Sequence, residues 1–153
     1  MRYFFKFLLL VLFTYSCETI EEIENNQVEI SYPVDYLFEH DGITRRYTLY
    51  KPNNIQDGAP LIFVLHGYGS NAKNIMTYSQ MNDIANRNGF AVCYPQGSMN
   101  YYTSRTHWNA NLKHMSNVKD ADFLSKLATF LQNEHKLSKE NTFVSGMSNG
   151  GFM

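Results

Sequence analysis

Asn141 to Ser145 reads as a short strand that runs without a break into Gly146-Met147-Ser148-Asn149-Gly150-Gly151. No other stretch constrains the fold as much. Glycines on both sides of a serine, directly after a strand, suit a very tight turn in which side chains at Gly146 and Gly150 would collide where the backbone folds back. Ser148 is left at the apex, and a helix is expected to leave the turn with its positive end toward the hydroxyl. The spaced Gly-Ser-Gly pattern alone is weak, since chance supplies it in roughly one chain of this length in twenty. On the pentapeptide alone, an ordinary Gly-rich turn explains it equally well.

The rest of the chain supplies context. Leu61 to Leu65 is an unbroken apolar run, LIFVL, as expected of a strand buried on both faces of a parallel sheet, and it opens into His66-Gly67-Tyr68-Gly69-Ser70-Asn71. A helical stretch with Ile75, Met81, Ile84 and Ala85 follows, ending near Asn88-Gly89. Phe90 to Tyr94 is a second buried strand, closed by Pro95-Gln96-Gly97. Residues 98–118 show no period and read as a long loop around Trp108, the single tryptophan. Leu124, Leu127 and Leu131 then mark a helix from about Asp120 to near Lys136. Upstream, Val28, Ile30, Tyr32 and Val34 alternate with polar residues as in a half-buried strand. Asp41-Gly42 signals a hairpin whose return strand is Ile43 to Tyr50. Strand, helix, strand, helix, strand is the order of a mostly parallel α/β sheet, here behind an antiparallel lead-in hairpin. The 153 residues suit one domain.

The N-terminus has a different character. Arg2 and Lys6 precede an apolar run from Phe7 to Phe13, followed by Thr14, Ser16 and Cys17. That run is too short to span a bilayer core of about 30 Å, and the pattern is that of an export signal over residues 1–16. Ser16-Cys17 resembles the acylation site of bacterial lipoproteins, although Thr14 and Tyr15 depart from its usual residues. The expectation is a periplasmic or cell-surface protein anchored to the membrane through a lipid on Cys17, with residues 17–27 as an acidic tether and 28–153 as the catalytic part. An ordinary signal peptide cut nearby is the alternative. With Cys17 acylated, Cys93 has no intramolecular partner, and its apolar surroundings suit a small buried side chain. A net charge of −1 gives no reason to expect nucleic acid, and Arg45-Arg46, the one adjacent basic pair, reads as a solvated strand face.

If Ser148 is a nucleophile, two backbone N–H groups must hold the oxyanion it creates. One comes from Asn149, and the other from a loop after an earlier buried strand, the place that His66-Gly67-Tyr68-Gly69 occupies. His66 itself is expected to brace that loop rather than exchange protons. His107, His114 and His135 lack metal-ligand spacing, so neither a metal nor a cofactor is implied. Asp120 and Asp122 are expected to act as a helix cap or on the helix dipole. Trp108, Tyr101 and Tyr102 either line a sugar or aryl site or only cover the core.

Taken in order, the strings Leu61 to Gly69 (LIFVLHGYG), Tyr94-Pro95-Gln96-Gly97, Trp108-Asn109-Ala110, Asp120-Ala121-Asp122-Phe123-Leu124 and Gly146 to Gly151 (GMSNGG) resemble one family. It is the polyhydroxybutyrate-depolymerase and feruloyl-esterase-like group of carbohydrate esterase family one, which has the α/β-hydrolase fold. The resemblance implies a secreted serine esterase acting on ester-bearing polysaccharides or polyesters, with Ser148 as nucleophile and Tyr68 and Asn149 as oxyanion-hole donors. A peptidase or lipase of the same superfamily, or a vestigial surface-anchored binding protein, are the competing readings. Two departures accompany it. Asn111, Leu112, Lys113 and His114 stand where many relatives carry cysteine, and only Asn149 to Met153 follow Ser148, so the triad acid and histidine do not follow it. The expectation is a fold truncated just after the nucleophile turn, with an apolar sheet edge exposed, prone to aggregate and inactive by itself.

Overall fold

The computed structural model describes residues 31–111 and 117–153. The export signal, Cys17, the acidic tether and His114 lie outside the described residues. Strands β1 (Val34–His40) and β2 (Ile43–Tyr50) form the expected hairpin, with His40 opposite Ile43 across the Asp41-Gly42 turn. Asp41 and Gly42 have φ of 53° and 72°, as a two-residue turn with matching twist demands. Of the predicted lead-in alternation, Val28 and Ile30 lie outside the described residues, and the described strand begins at Val34. Ser31 to Pro33 have no regular structure, and pairing begins with Val34 opposite Leu49, just past the residue that has no N–H to give.

Strand β3 (Leu61–Leu65), helices α1 (Ala72–Ser79) and α2 (Met81–Asn88), and strand β4 (Ala91–Pro95) follow. The single predicted helix is two because Gln80 adopts a left-handed φ of 52°. Gly89 closes α2 in the same region, as the Asn88-Gly89 signal implies. The stretch 98–118 is not structureless: β5 (Ser98–Met99) pairs with β6 (Thr106–His107) in a small hairpin. Helix α3 (Asp120–Glu134) and strand β7 (Thr142–Gly146) complete the regular elements before a 3-10 turn over Ser148–Phe152.

The main sheet runs β1-β2-β4-β3-β7. β2 pairs antiparallel with β1 and β4, while β4, β3 and β7 are parallel to one another. Alternation along β3 builds two cores. Leu61, Phe63 and Leu65 face Phe123, Leu127 and Leu131 of α3, whereas Val64 packs with Ala72, Ile75 and Ala85 of α1 and α2. The sheet is therefore sandwiched between helices, and β3 is buried on both faces as its sequence requires. Cys93 is fully buried in the α3 layer, and burial pushes its thiol up. Among the described residues no helix is long and apolar enough to cross a membrane.

Among the described residues β7 is the last strand on its side of the sheet, and Phe143 and Val144 on it are more than half exposed. Arg45 departs from expectation more sharply. It is not on a solvated face: its side chain is 3% exposed and its Nη2 lies 2.7 Å from Oδ1 of Asp120, which is fully buried. Arg46 keeps the paired strand position opposite Leu37.

Candidate active site

β7 delivers the chain into a turn that only glycine fits. A side chain at Gly146 would overlap the Gly150 carbonyl, and one at Gly150 would come within 2.6 Å of the His66 carbonyl oxygen and 2.7 Å of that of Leu65. Ser148 stands between them with φ of 50°, a left-handed conformation uncommon for any residue but glycine. Met147 N–H donates to Leu65 O at 3.1 Å and Gly150 N–H to Met147 O at 2.9 Å, so the turn is pinned to the end of β3. The continuation is a 3-10 turn over Ser148–Phe152 and not the α-helix that the sequence suggested.

The loop after β3 meets this turn directly. A Cβ on Gly67 would lie 3.6 Å from that of Ser148. The His66 ring is wholly buried, and its Nε2 accepts from Gly97 N–H at 2.9 Å and faces the Gln96 amide nitrogen at 3.1 Å. A nitrogen that accepts from a main-chain N–H carries no proton, so Nδ1 is the protonated one and donates to Gly67 O at 2.8 Å. Burial holds the His66 pKa below its usual value, which keeps the ring neutral. Ser70 N–H also donates to Gly67 O, at 3.1 Å. In a planar trans peptide the Tyr68 N–H then points away from the His66 ring and from Ser70 N–H. The bonds that pin the two turns use the N–H groups of Gly69, Ser70, Met147 and Gly150, and use neither that of Tyr68 nor that of Asn149.

Further residues lock the arrangement. Trp108 has no exposed surface, so it lines no open sugar or aryl site. Its indole N–H donates to His66 O at 2.9 Å, and its main chain exchanges two bonds with the Asn149 side chain, at 2.7 and 3.0 Å. Tyr101 and Tyr102, by contrast, are 90% and 88% exposed on the tip between β5 and β6. The Tyr68 hydroxyl reaches that tip, donating to Thr103 Oγ1 at 2.7 Å. A cleft of about 350 Å³ lined by Tyr36, Arg46, Asn71 and Gln96 lies beside α1, and Ser148 is not in its lining.

Asp120 does not cap α3. The cap position is Lys119, with no side-chain bond, and the Asp120 carboxylate turns inward to accept from Arg45 and, at 2.7 Å, from Asn109 N–H. The Asn109 side chain donates to Val118 O at 2.8 Å, so the paired motifs at 108–110 and 120–124 close one loop on itself. Asp122 is half exposed and bonds His40 and Lys126; the Lys126 bond is the larger cause that holds its carboxyl below the usual range. The Arg45–Asp120 pair and the bridging role of Trp108 were beyond sequence reasoning, because each depends on contacts between distant segments.

Residues 45–153 match the sequence family described as Esterase PHB depolymerase. The chain belongs to the Esterase PHB depolymerase family. Among proteins similar to this family member is the bifunctional acetylxylan esterase/xylanase XynS20E of Neocallimastix patriciarum, 26% identical over 76% of this chain and 16% of that protein. Of solved structures, the S-formylglutathione hydrolase FrmB of Staphylococcus aureus superposes with a TM-score of 0.60 at 20% identity, covering 80% of this chain and 49% of its own. The acetyl xylan esterase of Aspergillus awamori gives 0.58 at 16% identity, covering 76% and 43%. These likenesses show the α/β-hydrolase fold. The chain thus spans under a fifth of the curated relative and about half of the solved chains.

Proposed function

We propose that this chain carries the nucleophile half of a serine esterase that hydrolyses carboxylic esters of polysaccharides, feruloyl or acetyl, or of polyhydroxyalkanoate polyesters. The observation that carries the reading is Ser148 held at φ 50° beside Gly67. A strained serine on a glycine-walled turn after a parallel strand, touching the loop of an earlier strand, is what acyl transfer needs. Ser148 Oγ attacks the ester carbonyl carbon, and the carbonyl electron pair moves to oxygen. That oxyanion is held by the N–H groups of Tyr68 and Asn149. The Oγ proton passes through a base to the departing alkoxide, leaving an acyl-serine that water cleaves by the same steps. His66 is not that base, because both of its nitrogens are already committed to Gly67 and Gly97.

The polysaccharide and polyester substrates rest on family membership and on a relative named for acetylxylan esterase activity. Release of ferulate, acetate or 3-hydroxybutyrate from the matching polymers by full-length protein checks them. Turnover of one class, lost in Ser148→Ala, is the expected result; turnover of peptides or long-chain triglycerides alone would overturn it. The reading includes export with a lipid on Cys17, which rests on the pattern from Arg2 to Cys17. Fatty-acid labelling is expected in wild type and lost in Cys17→Ser, and equal labelling of both would contradict it.

A further inference from the structure

We propose that Asn149 and Trp108 act together as positioning residues that fix the spacing between the two N–H donors of the oxyanion site. This rests on the nucleophile reading of Ser148. Asn149 is 3% exposed, and both ends of its amide are spent on the Trp108 main chain: Oδ1 accepts from Trp108 N–H at 2.7 Å and Nδ2 donates to Trp108 O at 3.0 Å. The indole N–H of Trp108 in turn donates to His66 O at 2.9 Å, two residues before Tyr68. Three buried hydrogen bonds therefore connect the residue after the nucleophile to the loop that supplies the other donor.

Asn149 directly follows the left-handed Ser148, and the facing loop contains Gly67 and a left-handed Gly69 at φ 72°. Stabilisation of an oxyanion requires each donor within about 2.7–3.1 Å of the developing charge, and a shift of about 1 Å costs on the order of 10²-fold in rate. A tie that joins the two donor segments through one rigid indole and one planar amide suits this demand. Trp108 cannot act by touching substrate, since it has no exposed surface.

The test is Asn149→Asp in the full-length protein. The new carboxylate still accepts from Trp108 N–H, but its second oxygen then faces the Trp108 carbonyl with no proton between them. kcat is expected to fall about 10- to 100-fold, with KM within about twofold. A neutral carboxyl restores one donor and one acceptor, so the ratio of variant to wild-type kcat should rise as pH is lowered from about 8 to about 5. The ionisable groups nearest Trp108 are His66, with ring centroids 5.2 Å apart, and Asp120, which accepts from Asn109 N–H. The new carboxylate raises the His66 pKa, so Trp108→Phe, which adds no charge, is measured over the same pH range and its ratio is expected to stay flat. Trp108→Phe, which removes the indole N–H and keeps an aromatic ring, is expected to show the same loss in kcat if the aspartate variant does not fold. A ratio that stays flat with pH in Asn149→Asp, an effect on KM alone, or an unchanged kcat in Trp108→Phe overturns the proposal. Wild-type protein that takes no fluorophosphonate label removes the nucleophile reading and this proposal together, whereas labelled wild type with a flat Asn149→Asp ratio removes this one only.

Discussion

Ser148→Gly is expected to leave the full-length protein catalytically dead and more stable than Ser148→Ala. The two variants lose the same hydroxyl, and loss of such a nucleophile lowers kcat by roughly 10⁶-fold. They differ in backbone. At φ 50° a residue with a Cβ is held where L side chains are disfavoured, at a cost of about 1–2 kcal/mol, and glycine is not. Part of that gain is offset by the greater freedom of glycine in the unfolded chain, so a net difference of about 1 kcal/mol is expected. Urea midpoints read it directly. Equal midpoints would show that the turn is relaxed and that the serine is held there without strain.

Asp120→Ala is expected to destabilise the protein by about 3–5 kcal/mol, because it strands the Arg45 guanidinium in the interior. Arg45 and Asp120 side chains are 3% and 0% exposed, so little solvent screens them. The aspartate also holds Asn109 N–H, and the guanidinium lies 3.9 Å over the Phe123 ring, which keeps it in place when its partner is removed. Replacing both together, Arg45→Met with Asp120→Ala, is expected to cost much less than the two single changes combined, since no unpaired charge remains. Denaturant midpoints for the four proteins close this cycle. Additive losses would mean that the pair is not coupled.

How far the sequence could be read follows from the range of the forces involved. LIFVL at 61–65 was legible because burial on both faces leaves an uninterrupted apolar run. The strand at 142–146 was legible because it leads straight into the glycine-flanked serine, although Phe143 and Val144 on it are exposed. Gly146 and Gly150 were legible because they flank a serine directly after a strand, where a tight turn leaves no room for side chains, and the structure supplies the colliding carbonyls. The Asp41-Gly42 hairpin was legible for a different local reason, the positive φ that both turn residues adopt. The break at Gln80 was not, since neither glycine nor proline marks it and a left-handed glutamine has no signature of its own. The alternation ran through Tyr32, whereas pairing begins at Val34, because a period of two does not say where pairing starts. Arg45 looked solvated because its partner lies 75 positions away, and no local pattern announces a long-range ion pair. Trp108 was left between two roles for the same reason. Its bonds to His66 and Asn149 join segments 42 and 41 residues apart.

The central claim is that Ser148 is a nucleophile and not merely the apex of a tight turn. The most direct measurement is to incubate the full-length protein with an alkyl fluorophosphonate, digest it and map the adduct by mass spectrometry. The account predicts one modified residue, Ser148, with no adduct in Ser148→Ala. An unmodified Ser148 in folded protein, or an adduct on another serine that persists in Ser148→Ala, would contradict it.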